Sequence, residues 1–196
     1  MKIHNLIDDL QLELTKGGNI SKRAAKKYII NLLVDSNSDL SNLLQSLEET
    51  KFSKKCSICN KLDFVDPCSY CSTNSKSKTV SVFNSYSDLL EIGTKTLDGM
   101  ESNFVIGDGN KSKKQDVDNL QFKMLEDFVS KQGANEIILM FDKNIKSEII
   151  SEYIRSYFSS TKLKVSSLAV GISLGSSVEF LDQQTMNVAL KNREDN

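Results

Sequence analysis

The spacing of apolar side chains changes partway along this 196-residue chain. Within residues 1–52 they recur at intervals of three and four, which predicts short amphipathic helices. Gly17-Gly18-Asn19 ends the first helix, and Ser21 is a candidate N-cap for the second. The predicted buried positions of the three helices are Ile3, Leu6, Ile7, Leu10 and Leu14, then Ala24, Ala25, Tyr28, Ile29, Leu32 and Leu33, then Leu40, Leu43, Leu44 and Leu47.

From Thr79 onward, short apolar runs alternate with amphipathic helices. The runs at 80–83, 104–106, 137–141 and 163–169 predict strands. Helices are predicted from a cap at Ser87 to residue 92, over 119–131, and over a segment with Ile149, Ile150, Tyr153, Ile154, Tyr157 and Phe158 on its inner side. Alternation of strand and helix predicts an α/β fold with right-handed crossovers and a mainly parallel sheet.

All four cysteines lie in one sixteen-residue stretch, Cys56-x2-Cys59-x8-Cys68-x2-Cys71. Two Cys-x-x-Cys knuckles joined by a short polar loop can place four thiolates about 2.3 Å from one Zn²⁺. Asp66-Pro67 turns the chain into the second knuckle. We therefore predict one structural zinc ion per chain, which leaves no open coordination position for catalysis.

Two alternatives to zinc follow from the same cysteines. Two disulfides would also use all four, but the chain has no recognisable secretory signal, and thiols stay reduced in the cytosol. A thioredoxin-type redox pair would explain one Cys-x-x-Cys and not two. The longest apolar run, 137–141, is too short to cross a bilayer, so we expect a cytoplasmic protein that does not associate with membranes.

Charge is distributed unevenly along the chain. Residues 1–78 have 12 Lys+Arg against 9 Asp+Glu, and residues 79–196 have 13 against 17. Within the first part, Lys22, Arg23, Lys26 and Lys27 cluster on the first two turns of the second predicted helix. Cations there repel one another and oppose the helix dipole. We therefore predict that these four residues bind the phosphate backbone of DNA without regard to sequence; a solvated face is the alternative.

Polar residues follow two of the predicted strands, at Asn84 and at Asp142-Lys143-Asn144. A magnesium site of the topoisomerase–primase (Toprim) type would need Glu at the first place and Asp-x-Asp at the second, because a hard cation requires several carboxylate oxygens. One carboxylate of three remains, close to Lys143 and Lys146. We predict no catalytic residues here, and none at His4, which is the only histidine.

The order of a helix-hairpin-helix element, a four-cysteine finger and a Toprim-like domain resembles the RecR family of bacterial recombination mediators. The most specific stretches are Cys56 to Asn60 and Asp66 to Cys71, followed by Glu136 to Leu139, Glu148 and Tyr153-Ile154. The C-terminal residues that carry the resemblance are Leu168-Ala169, Gly171, Gly175, Glu179-Phe180, Asp182, Ala189-Leu190 and Arg193.

The chain departs from the family pattern at several positions. The family's Leu-Pro-Gly-Ile-Gly turn is Leu14-Thr-Lys-Gly-Gly-Asn-Ile20 here, and the Glu after the first Toprim strand is Asn84. The Glu-Gly before Glu148 is Lys146-Ser147, the Arg after the fourth strand is Ser167, and the Pro after Gly171 is Ser173. These departures bear on the surface that family members use to meet RecO or RecF.

The resemblance implies a non-enzymatic DNA-repair protein. RecR proteins form ring-shaped oligomers, bind DNA, and act with RecO and RecF to load RecA at single-strand gaps. The implied domains are a helix-hairpin-helix DNA-binding region (1–52), a four-cysteine zinc finger (53–78), a Toprim-like α/β domain (79–170) and a C-terminal segment of strand and helix (171–196).

Two other functions are compatible with parts of the chain. A magnesium-dependent nuclease or primase relative of the Toprim family would share the α/β domain, but the missing carboxylates argue against it. A zinc-finger interaction module without DNA binding would share the cysteines, but the basic helix argues against it.

Overall fold

In the computed structural model the chain divides into two units, Met1–Ser53 and Lys54–Asn196. The structure describes residues 3–16, 20–34, 37–73, 76–93, 102–107, 119–169, 172, 175 and 177–191. No helix within these ranges combines the length and the apolar character needed to span a membrane. The further division at residues 53, 79 and 171 stays a prediction.

The first unit consists of the three predicted helices, α1 (Ile3–Thr15), α2 (Lys22–Val34) and α3 (Asn37–Thr50). Ser21 caps α2 as expected, because its Oγ accepts the backbone N–H of Ala24 at 3.2 Å. The predicted turn at Gly17-Gly18-Asn19 lies outside the described residues.

Burial in the first unit is smaller than the apolar pattern predicts. Among its described residues, Ala25 and Ile29 of α2 are the only fully buried apolar side chains. The predicted stripe of α1 is largely exposed, with Leu10 at 49% and Ile3 at 61%. Three short helices have too little mutual surface to cover every apolar position on their faces.

The second unit begins with the cysteine-containing segment, which we call the finger (residues 54–73). Strands β1 (Lys54–Lys55) and β2 (Leu62–Asp63) form a two-residue antiparallel ladder, and a single helical turn, α4 (Ser69–Ser72), follows. The two strands flank the first knuckle, and the helical turn contains the end of the second. The finger therefore has little regular structure of its own.

A four-stranded sheet forms the centre of the second unit. Its strands are β3 (Thr79–Phe83), β4 (Asn103–Val105), β5 (Glu136–Met140) and β6 (Lys164–Ser167). They lie in the order β4-β3-β5-β6, and every pair is parallel. The predicted α/β class and parallel sheet are therefore confirmed, with strand boundaries within a few residues of those expected.

Apolar side chains cover both faces of this sheet, as expected for parallel strands. On one face, Val80 and Val82 of β3 belong to a buried cluster. It also contains the four cysteines and side chains of helices α6 (Asn119–Gln132) and α7 (Ile145–Phe158). On the other face, Phe83 packs with Leu89 of α5 (Tyr86–Gly93). The finger therefore shares a core with the sheet.

The inner side of helix α7 agrees with the prediction at four of its six residues. Ile154 and Phe158 are buried as expected, but Ile149 and Tyr153 are about half exposed, at 50% and 58%. Ile150 and Tyr157 are partly buried against the same core, as predicted. The other inward positions belong to two small polar residues, Ser147 and Ser151, which are 4% exposed. The Ser151 hydroxyl donates to the Ser147 carbonyl at 2.8 Å, so its burial leaves no unpaired hydroxyl.

Helix α5 is capped by Ser85 and not, as predicted, by Ser87. The Ser85 Oγ accepts the N–H of Asp88 at 3.1 Å, and Asp88 Oδ2 accepts the N–H of Ser85 at 3.1 Å. This reciprocal pair is a capping box, which places Ser87 inside the helix. At the C-terminal end, a 3-10 turn (Val178–Phe180) precedes α8 (Gln183–Lys191), while Gly171, Ser173 and Arg193 lie outside the described residues.

Candidate metal centre and nucleic-acid surface

The structure brings together all four predicted metal ligands. The Sγ atoms of Cys56, Cys59, Cys68 and Cys71 all lie within 4.8 Å of one another, and those of Cys59 and Cys68 are 3.5 Å apart. Four sulfurs at about 2.3 Å from a central ion would be about 3.8 Å apart in a tetrahedron. The cluster therefore fits a tetrahedral metal ion without a change in chain path.

The thiols are almost completely buried, with exposed fractions between 0% and 3%. Burial raises the pKa of Cys59, and it raises the pKa of Cys71 to about 12. For Cys56, burial acts in the same direction, but backbone N–H donors from Cys68, Cys59 and Ile58 outweigh it and lower the pKa to about 7. A bound cation would stabilise all four thiolates, because a coordinating thiol loses its proton.

The first knuckle depends on a residue that the sequence pattern did not indicate. Asn60 follows Cys59 and adopts a left-handed conformation, with φ at 61°. Asn tolerates this region better than most residues other than glycine. The turn lets the Asn60 N–H donate to the Cys56 carbonyl at 3.0 Å and the Cys56 N–H donate to the Lys61 carbonyl at 2.7 Å.

The same knuckle is hydrogen-bonded to the open edge of the sheet. Strand β4 is an edge strand, and Val105 directs both backbone polar groups away from β3 toward the finger. Its N–H donates to the Cys59 carbonyl at 3.1 Å, and its carbonyl accepts the Asn60 side-chain amide at 2.8 Å. The knuckle thereby satisfies backbone groups that an uncovered edge would leave open.

The second knuckle is attached to helix α6. The Lys131 ammonium, in the last turn of α6, donates to the Cys71 carbonyl at 3.0 Å. Lys61, next to the first knuckle, lies over the ring of Tyr70 at 4.7 Å from its centroid. Both halves of the finger are therefore fixed to the α/β part of this unit, by contacts that only the folded chain creates.

The loop between the knuckles contributes two carboxylates whose role the sequence pattern did not indicate. Backbone N–H groups of Ser69 and Phe64 hold the pKa of Asp63 below its usual range, and the N–H of Ser57 does the same for Asp66. Asp66 was expected only to form a turn with Pro67. A signal was present in the sequence, because Asp in a short polar loop commonly accepts backbone N–H bonds.

The predicted DNA-binding cations lie together at the start of α2. Lys22, Arg23, Lys26 and Lys27 are all exposed, and the Lys26 ammonium lies 3.4 Å from the Asp8 carboxylate of α1. The Lys22 carbonyl accepts the Gln11 side-chain amide at 2.8 Å, which ties the start of α2 to α1. A further basic group, Lys111, Lys113 and Lys114, lies outside the described residues.

At the carboxyl ends of the strands, the polar residues do not converge as metal ligands. Asn144 caps α7, since its Oδ1 accepts the N–H of Ser147 at 3.0 Å. Asp142, Lys143 and Lys146 are exposed. The only metal-type cluster of His, Cys, Asp and Glu within the described residues is that of the four cysteines. Ser167, at the end of β6, accepts a hydrogen bond from the Arg155 guanidinium at 2.7 Å.

The fold and the site together define a class of protein: a helical N-terminal unit followed by a parallel α/β sheet that shares its core with a four-cysteine, metal-type finger. No protein-family model matches the chain. Its curated relatives include "Recombination protein RecR" of Mycoplasmopsis pulmonis, 28% identical over 191 residues, covering 96% of this chain and 97% of the relative.

Two further relatives carry the same name. That of Orientia tsutsugamushi is 27% identical over 202 residues, covering 98% of this chain and 97% of the relative. That of Syntrophomonas wolfei is 28% identical over 195 residues, covering 98% of this chain and 96% of the relative. The resemblance to RecR is therefore confirmed over nearly the whole chain.

The attachment of the knuckle to β4 predicts a graded response to substitutions of Asn60. Asn60→Gly keeps the left-handed turn but removes the amide that donates to Val105, and it should lower the free energy of unfolding by about 1 kcal/mol. Asn60→Ala removes the same amide and also strains the turn, which should cost about 1–2 kcal/mol more. Urea unfolding of the metal-loaded protein measures both. Equal effects of Gly and Ala would contradict the conformational role, and no effect of either would contradict the contact with β4.

Proposed function

We propose that this protein is a RecR-type DNA-binding scaffold of recombinational repair in the bacterial cytoplasm, associated with the nucleoid during repair. It would act with RecO or RecF homologues to load RecA at single-strand gaps. The observation that carries the proposal is the similarity to proteins named recombination protein RecR over 92–98% of the chain. The four-cysteine cluster and the parallel sheet support it, because both are features on which that resemblance rests.

The metal of the proposed scaffold is one structural zinc ion per chain, bound by Cys56, Cys59, Cys68 and Cys71. Thiolate ligands in a tetrahedral set favour zinc among the common divalent ions, although iron also binds such sites. All four positions would be taken by protein sulfur. The ion would hold the two knuckles together while the first knuckle covers β4 and the second contacts α6.

DNA binding is assigned to the exposed cations of α2. Lys22, Arg23, Lys26 and Lys27 lie at the helix N-terminus, where backbone N–H groups also favour an anion. Asp8 partly neutralises Lys26 at 3.4 Å, an exposed contact that a phosphate can replace at small energetic cost. Such contacts neutralise phosphates without reading bases, so binding is expected to be independent of sequence.

The scaffold is proposed to be non-enzymatic. Phosphoryl transfer in a Toprim-like site depends on metal ions held by several carboxylates. Here Asn144 is engaged in capping α7, and Asp142 lies beside Lys143. The Toprim-like domain would instead serve assembly. Magnesium-dependent cleavage or primer synthesis that persists through repurification and is lost in Asp142→Ala would overturn this part.

Assembly into a homo-oligomeric ring is part of the proposal. Several copies of the basic helix on one DNA would raise the apparent affinity through multivalency, even if each contact is weak. Exposed apolar side chains on the described helices of the first unit, such as Leu10 and Leu47, offer surface for association. A strictly monomeric native mass at micromolar concentration with DNA present would contradict the ring.

The metal assignment predicts about one zinc ion per purified chain, measured by elemental analysis. Cys59→Ser or Cys68→Ser should abolish stoichiometric zinc and lower the free energy of unfolding by about 4 kcal/mol or more, because metal binding and folding are coupled here. Ser72→Ala is the matched control: it removes a finger hydroxyl that donates to the carbonyls of Pro67 and Cys68 but keeps every thiolate. The control should retain zinc and lose at most about 1 kcal/mol. A folded wild-type protein with no metal and four reactive thiols would contradict the assignment.

The DNA assignment predicts that replacing Lys22, Arg23, Lys26 and Lys27 with Ala weakens binding similarly for all sequences. The slope of log affinity against log salt should fall by about 0.9 for each duplex phosphate that the variant no longer neutralises. Fluorescence anisotropy on two unrelated duplexes over a salt series measures both effects.

A charge-matched variant separates a binding surface from a general effect of net charge. Lys123, Lys143, Lys146 and Lys162 are exposed residues of the second unit, and their replacement with Ala removes the same total charge. This control should keep most of the wild-type slope. Equal losses of affinity in the two quadruple variants would contradict the assignment to α2.

A further inference from the structure

The two knuckles share a contact that relates them to the loop between them. In each knuckle, the residue after the first cysteine donates its backbone N–H to a loop carboxylate. The Ser57 N–H donates to Asp66 Oδ1 at 2.7 Å. The Ser69 N–H donates to Asp63 Oδ2 at 3.0 Å, and the Ser69 hydroxyl donates to the same oxygen at 3.2 Å. Each carboxylate therefore holds one knuckle.

The same carboxylates also shape the loop. Asp63 Oδ1 accepts the N–H of Phe64 at 2.6 Å and that of Val65 at 3.5 Å, so one side chain fixes the start of the loop and the second knuckle together. Asp66 lies two residues before Cys68 and reaches back nine residues to the first knuckle. The two aspartates thus set the spacing between the cysteine pairs from opposite ends of the loop.

Neither aspartate is placed as a ligand. The metal-type cluster within the described residues comprises only the four thiols, which are buried, whereas Asp63 is half-buried and Asp66 is exposed. Backbone N–H groups donate to both oxygens of Asp63 and to Oδ1 of Asp66. A turn would need only hydrogen bonds within the loop. Here each aspartate also accepts the N–H of the residue that follows the first cysteine of one knuckle.

We propose that Asp63 and Asp66 are positioning residues for the metal ion, an inference that rests on the metal centre proposed above. They hold the two cysteine pairs in binding geometry before the ion arrives and resist their separation afterwards. Without them, ordering of the knuckles would take place during metal binding and would oppose it. Groups that orient metal ligands from outside the coordination sphere typically change affinity by about 10–100-fold.

The test uses the full-length protein with Co²⁺ and Zn²⁺ as probes. Asp63→Ala and Asp66→Ala should each weaken Co²⁺ binding, followed by thiolate-to-cobalt absorption, by about 10-fold or more, and should speed Zn²⁺ transfer to a chromogenic chelator. The double variant should bind Co²⁺ more weakly and transfer Zn²⁺ faster than either single variant, because the two aspartates contact different knuckles. Asp66→Asn keeps the one oxygen that accepts the Ser57 N–H and should recover most of the wild-type affinity. Asp63→Asn keeps only one of the two acceptor oxygens that Asp63 uses, so it should recover the affinity only in part.

Asp182 provides a matched control. Its carboxylate accepts the N–H of Thr185 at 2.9 Å and the Thr185 hydroxyl at 2.6 Å, which is the same kind of contact in α8. Asp182→Ala should leave cobalt affinity and zinc transfer within about twofold of wild type, since α8 holds none of the four thiols. Because it also removes a helix cap, it shows what a loss of local structure alone does to metal binding.

Several results would overturn the inference. Cobalt affinities of both Ala variants that match the wild-type value would do so, as would an equal effect of Asp182→Ala. An Asp66→Asn variant that binds cobalt no better than Asp66→Ala would show that carboxylate charge acts and not the acceptor geometry. If the Ala variants do not fold, Asp63→Asn, which loses one of its two acceptor oxygens, must transfer zinc faster than the wild-type protein, or the inference falls.

The same experiment separates this inference from the metal assignment. A wild-type protein without a tetrathiolate cobalt spectrum would defeat the metal centre itself. A normal wild-type spectrum together with unaffected aspartate variants would defeat only the positioning role.

Discussion

Four thiols buried in an apolar core are the constraint on which the rest of the second unit depends. Their exposed fractions do not exceed 3%, and they pack in the same cluster as Phe104 and Phe128. Sulfurs this close together cannot all ionise in such surroundings without a cation, and they cannot separate without opening the core. The finger is therefore part of the α/β core and not an appendage to it. Its short ladder and single helical turn have too few hydrogen bonds to hold this shape alone.

The cysteine cluster in turn determines how the sheet ends. Strand β4 has only three residues and lies at the edge, where its outer backbone groups would otherwise face solvent. Cys59 and Asn60 pair with both polar groups of Val105, so the knuckle that the cluster holds also covers the strand. The carboxyl ends of the strands carry no comparable ligand cluster. Asn144 caps a helix there, and no set of carboxylates comes together among the described residues. Asn144 thus stabilises the start of α7 at a place where metal catalysis would need a free carboxylate.

The sequence was sufficient to predict contacts that depend on spacing within one segment. The clustering of the four cysteines, the strand-helix alternation and the Ser21 cap all follow from short-range patterns, and all three are confirmed. The inner face of α7 was predicted only in part: Ile149 and Tyr153 are exposed, because the apolar residues of this helix spread over a wide face and the pattern alone cannot show that Ser147 and Ser151 are buried instead. Asn60 was missed because its role depends on a left-handed turn and on Val105, 45 residues later. The short polar loop indicates that Asp63 and Asp66 accept backbone N–H bonds, but it does not show that the donors lie in the two knuckles.

Metal binding by the cysteines and closure of the sheet edge at β4 are expected to be one event. Backbone hydrogen exchange of zinc-loaded and chelator-treated protein tests it directly, with mass spectrometry of peptides that cover β4 at one edge and β6 at the other. The account predicts that metal removal strongly increases exchange over 102–107, where Val105 donates to Cys59, and has a smaller effect over 164–167, whose strand pairs with β5. Unchanged protection of β4 after complete metal removal would contradict it.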